Sequence, residues 1–396
     1  MGVGMAQSLS TGSGVVLDLI RSGQATTRTD LLERLGWSRI TLARRLEELL
    51  NASIIESVGQ LDSRGGRPPE KFAVKPDSGV LLALDIGGSH SMVAITDLVS
   101  TILSVDQADI GPSQGPAEIF EWAGQVFDLM LQRLGKTRDN VLAIGVGVPG
   151  PVDTATGRLA SPQVDRQWDG VTVRDYFTSR YGHAVLAVDR DVNVMTLAEA
   201  RRGGVGYQDI VGVKAGIGIG LGFVLDGAVY RGARGGAGDL SRPRIGGGRL
   251  QRLETVASGA VVRAELVARG YKVRTGADIV ELAASGDHRT LALLEETGTT
   301  LGQTLADIVG LINPEAVIIG GSLAAAGEPF LRPIREAIYA GAREFATQDL
   351  VVEPSRLGAE AGLTGASLLA QDALFAPDRI SRLTHSGATS LALASA

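Results

Sequence analysis

One short pattern occurs twice in this chain, and it constrains the fold more than any other feature. At 80–97 an apolar strand, VLLALDI, runs into a glycine turn and returns as the alternating strand SMVAIT; at 210–225, IVGVKAGIGIGLGFVL repeats that order. Glycine at such turns lets backbone N–H groups approach an anion with no Cβ in the way. Two hairpins whose glycine turns face each other could clamp a nucleotide's phosphates, although a glycine turn also serves simply to close a hairpin.

The surroundings of the repeat alternate between strands and helices. Further strands are expected at 141–148, 184–189 and 316–321. Amphipathic helices are expected around 116–135, 193–202, 255–269, 289–312 and 328–345. Strands alternating with helices give an α/β architecture, and 396 residues suit two or three domains. The chain has no cysteine, which rules out disulfides and thiolate metal sites and favours a reducing, cytosolic setting. Neither a signal peptide nor a membrane-spanning segment is expected.

Before this repeat the grammar differs. Residues 13–50 read as three helices. Thr27 and Asp30 are spaced as an N-terminal cap of the second, and Gly36 stops it. In the third, Leu42, Leu46, Leu49 and Leu50 form an apolar stripe, Thr41 and Arg44 point away from it, Arg45 lies at its flank and Ser38 at its start. Two strands, Ile54–Val58 and Phe72–Val74, then flank a basic tip, SRGGRPP. Helix, turn and helix followed by a hairpin make a winged helix-turn-helix, in which a helix reads base edges and wing arginines touch phosphate or the minor groove. A plain three-helix bundle with solvated arginines is the alternative, and the attached basic wing counts against it. Charge alone decides little: the chain carries a net −6, while residues 1–75 hold ten Lys/Arg against eight Asp/Glu.

In order, these segments resemble the ROK family of repressors, open reading frames and sugar kinases, over roughly residues 12–372. LALDIGGSH resembles the family's first phosphate motif and GVGVPGPVD (145–153) its proline turn beside the sugar. DRDVNVMTLAEA (189–200) is similar to the N-D-x-N-x-x-x-x-x-E segment, KAGIGIGLGFVLDG to the second phosphate motif, and LINPEAVIIGGSL (311–323) to the strand near the adenosine pocket. The resemblance implies an N-terminal winged helix-turn-helix (1–76), then a two-lobed α/β body of the actin-like ATPase, ribonuclease H-like kind (77–190 and 191–374), and a flexible tail (375–396). GGRPPEKFAV resembles the DNA-binding domain of the family's repressor branch.

The same resemblance assigns roles. Asp191 matches the general base of the sugar kinases, which takes the proton of the attacking sugar hydroxyl. The asparagine that precedes it in the family is Arg190 here, a donor-only group where an amide could also accept. Where relatives carry A-G-E-x-G-H and C-x-C-G-x-x-G-C-x-E around sugar and zinc, this chain has AGDLSR (237–242) and IGGGRLQRLE (245–254). Asp239 stands for the glutamate, Arg242 for the zinc-ligating histidine, and Ile245, Gly247 and Arg252 for the cysteines, while Gly248 and Glu254 remain. The zinc site is therefore expected to be absent. A carboxylate withdrawn by one methylene, roughly 1.5 Å, leaves a sugar hydroxyl short of its partner at a cost of about 1–3 kcal/mol.

Two functions follow. One is a transcriptional regulator of carbohydrate-related genes, a dimer or tetramer on a palindromic double-stranded operator. Ser38, Arg39, Thr41, Arg44, Arg45, Arg64 and Arg67 would contact DNA, and Arg190, Asp239, Arg242 and Glu254 an effector. The other is an ATP-dependent sugar kinase, using Mg²⁺ and ATP. Asp85, Gly87, Gly88, Gly216, Gly218 and Gly220 would then hold the phosphates, and Asp191 would be the base. Asp191 could instead cap the helix that begins near Val192, and Glu254 could serve a helix N-terminus through the macrodipole.

Overall fold

The computed structural model describes residues 12–60, 70–160, 166–239, 244–245 and 251–385. Three helices come first: α1 (Ser13–Arg21), α2 (Arg28–Leu35) and α3 (Arg39–Asn51). The expected cap of α2 is a full capping box. Thr27 Oγ1 accepts the Asp30 N–H at 3.2 Å and Asp30 Oδ2 accepts the Thr27 N–H at 3.1 Å. Leu42, Leu46 and Leu49 are buried against Val16, Leu17 and Leu31, and Leu50 packs at the edge. Strands β1 (Ile55–Gln60) and β2 (Glu70–Val74) then pair antiparallel, Ile55 opposite Val74. The tip between them, with Arg64 and Arg67, lies outside the described residues.

Two five-stranded sheets follow. The first is built from β3 (Val80–Ile86), β4 (Ser91–Thr96), β5 (Ile102–Ala108), β6 (Val141–Val148) and β9 (Val185–Arg190), with α4 (Pro116–Arg133) between β5 and β6. A small hairpin, β7 (Val152–Asp153) with β8 (Arg158–Leu159), and α5 (Val173–Tyr181) come between β6 and β9. After α6 (Asp191–Arg202) the second sheet begins with β10 (Ile210–Ala215), β11 (Ile219–Leu225) and β12 (Ala228–Val229). Helices α7 (Gly259–Ala268), α8 (Gly276–Ala284) and α9 (His288–Ile312) precede β13 (Ala316–Gly320). Then come α10 (Glu328–Gly341), β14 (Val351–Pro354), α11 (Ala361–Leu374) and α12 (Pro377–His385).

The strand orders are β5-β4-β3-β6-β9 and β12-β11-β10-β13-β14. Each sheet has an antiparallel meander followed by two parallel strands. The repeat seen in the sequence is thus a repeat of whole sheets. Asp85 and Lys214 are both the penultimate residue of their strand, and each lies opposite a glycine of the parallel neighbour, Gly147 and Gly320.

The expected boundary at residue 190 falls between β9 and α6, but the chain crosses between the lobes a second time. Helix α6 leaves β9 and packs on β10 and β11, while α11 returns from the second lobe to cover β3, β6 and β9 and to pack along α6. The approach is so close that a Cβ at Gly365 would stand 1.7 Å from the Val194 carbonyl oxygen. Only glycine fits there.

The expectation of a flexible tail from residue 375 is also corrected. Helix α12 packs on α1, burying Ile380 and Leu383 in the cluster that holds Val16 and Leu17. Spacing of three residues puts both on one face, which α1 covers; residues 386–396 lie outside the described set. Polar bonds join the same parts. Thr384 Oγ1 donates to Ser13 Oγ at 3.3 Å, and Ser13 donates to Glu48 of α3. Asp372 of α11 accepts from Arg21 of α1 and, at 2.8 Å, from Arg201 of α6. Burial alone would raise the Asp372 carboxyl, but Arg201 and Arg21 outweigh it and hold it below the usual range. Among the described residues no helix is long and apolar enough to cross a membrane.

Two outcomes follow. Ile380→Ala should cost about 2–4 kcal/mol as a buried large-to-small change, read as a lower urea midpoint. The stability contributed by ionised Asp372 is present above its unfolded pKa, about 3.9, and is lost as pH falls through the lower folded value. Asp372→Asn should therefore weaken the fold at neutral pH and shrink the further loss below about pH 4, measured by urea melts across that range.

Candidate functional site

The two glycine turns face each other across a cleft, as the repeat suggested. A Cβ at Gly88 would stand 3.3 Å from Ile217 Cδ1, so the second turn's isoleucine rests against the first turn. The Gly87 N–H donates to the His90 carbonyl at 3.0 Å and the Gly216 N–H to the Gly218 carbonyl at 2.9 Å. Both of these donors are spent on closing their own turns. Gly220 is not in the turn at all; it sits in β11 opposite Lys214 and against Val192 of α6. The helix N-terminus beside the second turn is occupied too. Gly259 and Ala260 donate to the Gly216 and Ile217 carbonyls at 2.8 and 3.1 Å.

At the floor of the cleft lies a residue that the sequence reading passed over. Lys214 Nζ stands 2.9 Å from Asp191 Oδ2 and 3.6 Å from Asp85 Oδ2. Burial would lower the ammonium's pKa, yet the carboxylates of Asp191 and Asp85 together hold it above its usual value. Burial pushes the Asp85 carboxyl up, only partly opposed by Lys214. Asp191 is the first residue of α6 and not its cap, a position held by Arg190 with no side-chain bond; Asp191 Oδ1 accepts the Val192 N–H at 2.8 Å. Gly362 at the start of α11 completes the floor: a Cβ there would lie 2.1 Å from Asp85 Oδ2.

Arg190 is 6 % exposed. Its guanidinium donates to the carbonyls of Ala237 and Gly238, the latter at 3.4 Å. Its pKa is lowered by burial, against the pull of Asp191, Asp239 and Asp189. Asp239 itself is exposed beside this loop, and Arg242 lies outside the described residues. The Glu254 carboxylate reaches the cleft and lies against the second turn, where a Cβ on Gly218 would stand 2.5 Å from Oε1. Asp189 was also missed. It accepts from the Arg190 N–H and Asn193 Nδ2, both at 2.7 Å, and from Arg231 Nε at 2.6 Å. Arg231 lines an open cavity of about 740 Å³ with Arg158, Arg234, Asp153 and Asp169.

These residues do not fit a bound Mg²⁺–nucleotide. The two carboxylates that a divalent ion would use already share an ammonium, and each extra unit of positive charge at about 4 Å would meet roughly 4 kcal/mol of repulsion at a near-surface dielectric. Beside the second turn, the space lined by Arg263, Thr275, Gly276 and Ser322 amounts to about 10 Å³, room for one water. Nor do the residues fit zinc. The chain has no cysteine, and among the described residues no three His, Asp or Glu side chains gather where they could hold a metal ion.

The third helix forms a second candidate surface. Ser38 caps it, accepting the Thr41 N–H at 3.1 Å, with the two hydroxyls 2.9 Å apart. Arg39 and Arg44 are exposed, as is Ile40 at 84 %, a residue that periodicity alone gave no reason to choose. Arg45 departs from expectation. It is 7 % exposed and its Nη1 donates to both Glu48 oxygens at 3.0 Å. Glu48 in turn is fixed by Ser13, so the arginine turns inward and is withdrawn from the outer face.

Residues 81–373 match the model of the ROK family. The chain belongs to the ROK family. Among similar proteins is the xylose repressor of Caldicellulosiruptor bescii, 25 % identical over 92 % of this ROK chain and 96 % of that protein. A solved ROK family transcriptional regulator, described as a homologue of the E. coli MLC protein, superposes with a TM-score of 0.78. It is 23 % identical, over 93 % of this chain and 97 % of the other. A ROK family glucokinase from Streptomyces griseus, solved with glucose and AMPPNP, gives a TM-score of 0.61 and 26 % identity. That match covers 74 % of this chain and all of the glucokinase. The two-lobed body is therefore the sugar kinase-like, actin-like fold of the family.

Arg231→Ala leaves the Asp189 carboxylate, 2 % exposed, without its cation. Breaking such a pair should cost about 3 kcal/mol, seen as a lower midpoint in urea unfolding.

Proposed function

We infer that this chain is a sugar-responsive transcriptional repressor of the ROK family, which binds double-stranded DNA through an N-terminal winged helix-turn-helix. One observation carries the reading. The similarity to the xylose repressor runs through nearly the whole chain, whereas the glucokinase match leaves about a quarter of it uncovered. A unit of three helices and a hairpin precedes the ROK body, and its third helix presents Arg39, Ile40, Thr41 and Arg44 on one end. Arginines there suit phosphates or guanine edges, and an exposed isoleucine suits a thymine methyl. The wing arginines Arg64 and Arg67 remain proposed phosphate contacts, and a palindromic operator read by a dimer or tetramer remains the expected target.

The kinase-like body serves in this reading for effector sensing and assembly, with Arg190, Asp239, Arg242 and Glu254 around a sugar or sugar derivative. No zinc, ATP or Mg²⁺ takes part. The alternative, an ATP-dependent sugar kinase with Asp191 as base, requires Asp191 to leave Lys214.

Fluorescence anisotropy with the chain's own upstream DNA tests the reading. Arg39→Ala combined with Arg44→Ala should weaken binding at least tenfold and lower the slope of log K against log salt by about 2. Arg45→Ala should act on stability instead, because it removes the buried guanidinium that pairs with Glu48. A sugar effector should change the wild-type affinity. ATP-dependent turnover of pentoses or hexoses, lost in Asp191→Asn, would overturn the repressor reading in favour of the kinase.

A further inference from the structure

The internal repeat gives the cleft a specific asymmetry. Asp85 and Lys214 hold the same place in their two sheets, the penultimate position of the strand that enters the glycine turn. One repeat thus presents an anion and the other a cation, and the two meet with Asp191 between the lobes. Asp85 and Asp191 are the anionic neighbours of Lys214 among the described residues, and Asp191 has both oxygens engaged, one by Lys214 and one by the Val192 N–H. Two carboxylates converging on one partly buried point are ordinarily a site for a hard divalent ion, which takes oxygen ligands and tolerates little competing positive charge.

We propose that Lys214 is a resident cation, fixed in the place a divalent ion would need between Asp85 and Asp191, and that it makes this cleft a metal-independent ligand site. The side chain does two things there that an ion would do. It neutralises the carboxylates, and it ties β10 of the second lobe to β3 and the start of α6. It cannot dissociate, so chelators and ionic composition do not alter the cleft. A ligand of this site is bound without a bridging metal, which excludes Mg²⁺-complexed nucleotides and leaves polyhydroxylated molecules that recognise fixed charges directly. The proposal goes beyond operator binding and does not depend on it.

The test is titration of the full-length chain with Mn²⁺, alone and with ADP, following free Mn²⁺ by electron paramagnetic resonance. Wild type is expected to show no saturable site under either condition. Lys214→Ala should gain one saturable Mn²⁺ site, at least tenfold tighter than any wild-type binding, and the double variant Lys214→Ala/Asp85→Asn should lose it. Lys214→Met, which fills more of the volume, gives the same reading if the alanine variant does not fold. A saturable site in wild type as tight as that of the variant overturns the proposal, as does a folded variant (by circular dichroism) that gains none. Should neither variant fold, the wild type decides: saturable Mn²⁺–ADP binding overturns the proposal and its absence supports it. Operator binding measured on the same samples separates the two readings, because wild type that fails to bind DNA yet shows the expected metal pattern refutes only the repressor function.

Discussion

Everything in this protein hangs on the contact between α6 and α11. The two helices lie between the sheets, and the missing side chain at Gly365 lets the backbones touch. Because α6 comes from the chain's middle and α11 from its end, the contact closes the body across the lobes. Close packing of this kind transmits displacement rather than absorbing it. At one end of α6 stands Asp191 with Lys214; at the other, Arg201 reaches Asp372, which also holds Arg21 of α1. The cleft and the N-terminal helices are thus connected by a single helix of 12 residues.

Charge is distributed through the cleft with little left to solvent. Asp189 is shared by Arg231, Asn193 and the backbone of Arg190, while the Arg190 side chain is spent on the carbonyls of the loop that follows β12. An arginine from the end of β9 thus fastens that loop. Such internal partners are what burial requires, although Asp85 Oδ1, Arg190 Nε and Asn193 Oδ1 have no hydrogen-bond partner among the described residues.

The architecture was readable from the sequence where its signals are local. The twin hairpins, the three helices and the capping box of Thr27 and Asp30 depend on spacing within a few residues, and so they appeared. What escaped depends on partners far along the chain. Arg45 looked like a flank residue because helical periodicity cannot see Ser13, which fixes the Glu48 that draws it in. Lys214 was a charge inside an apolar strand, a visible oddity, but its meaning lies in Asp85 and Asp191 on other elements. Helix α12 is short and polar on its outer side; Ile380 and Leu383 make sense only once α1 is beside them. Arg64, Arg67 and Arg242 lie outside the described residues.

The packing of α12 on α1 has a consequence for the order of folding. Val16 and Leu17 precede the ROK body in sequence, and part of their cover, Ile380 and Leu383, follows it. Contacts of such sequence separation form late, after the intervening loop has been closed by the body. The N-terminal helices therefore acquire their final surroundings only after the body between them and α12 has formed. Removing α12 would uncover part of that cluster, so the N-terminal unit is built to be complete only with the helix that follows the ROK body.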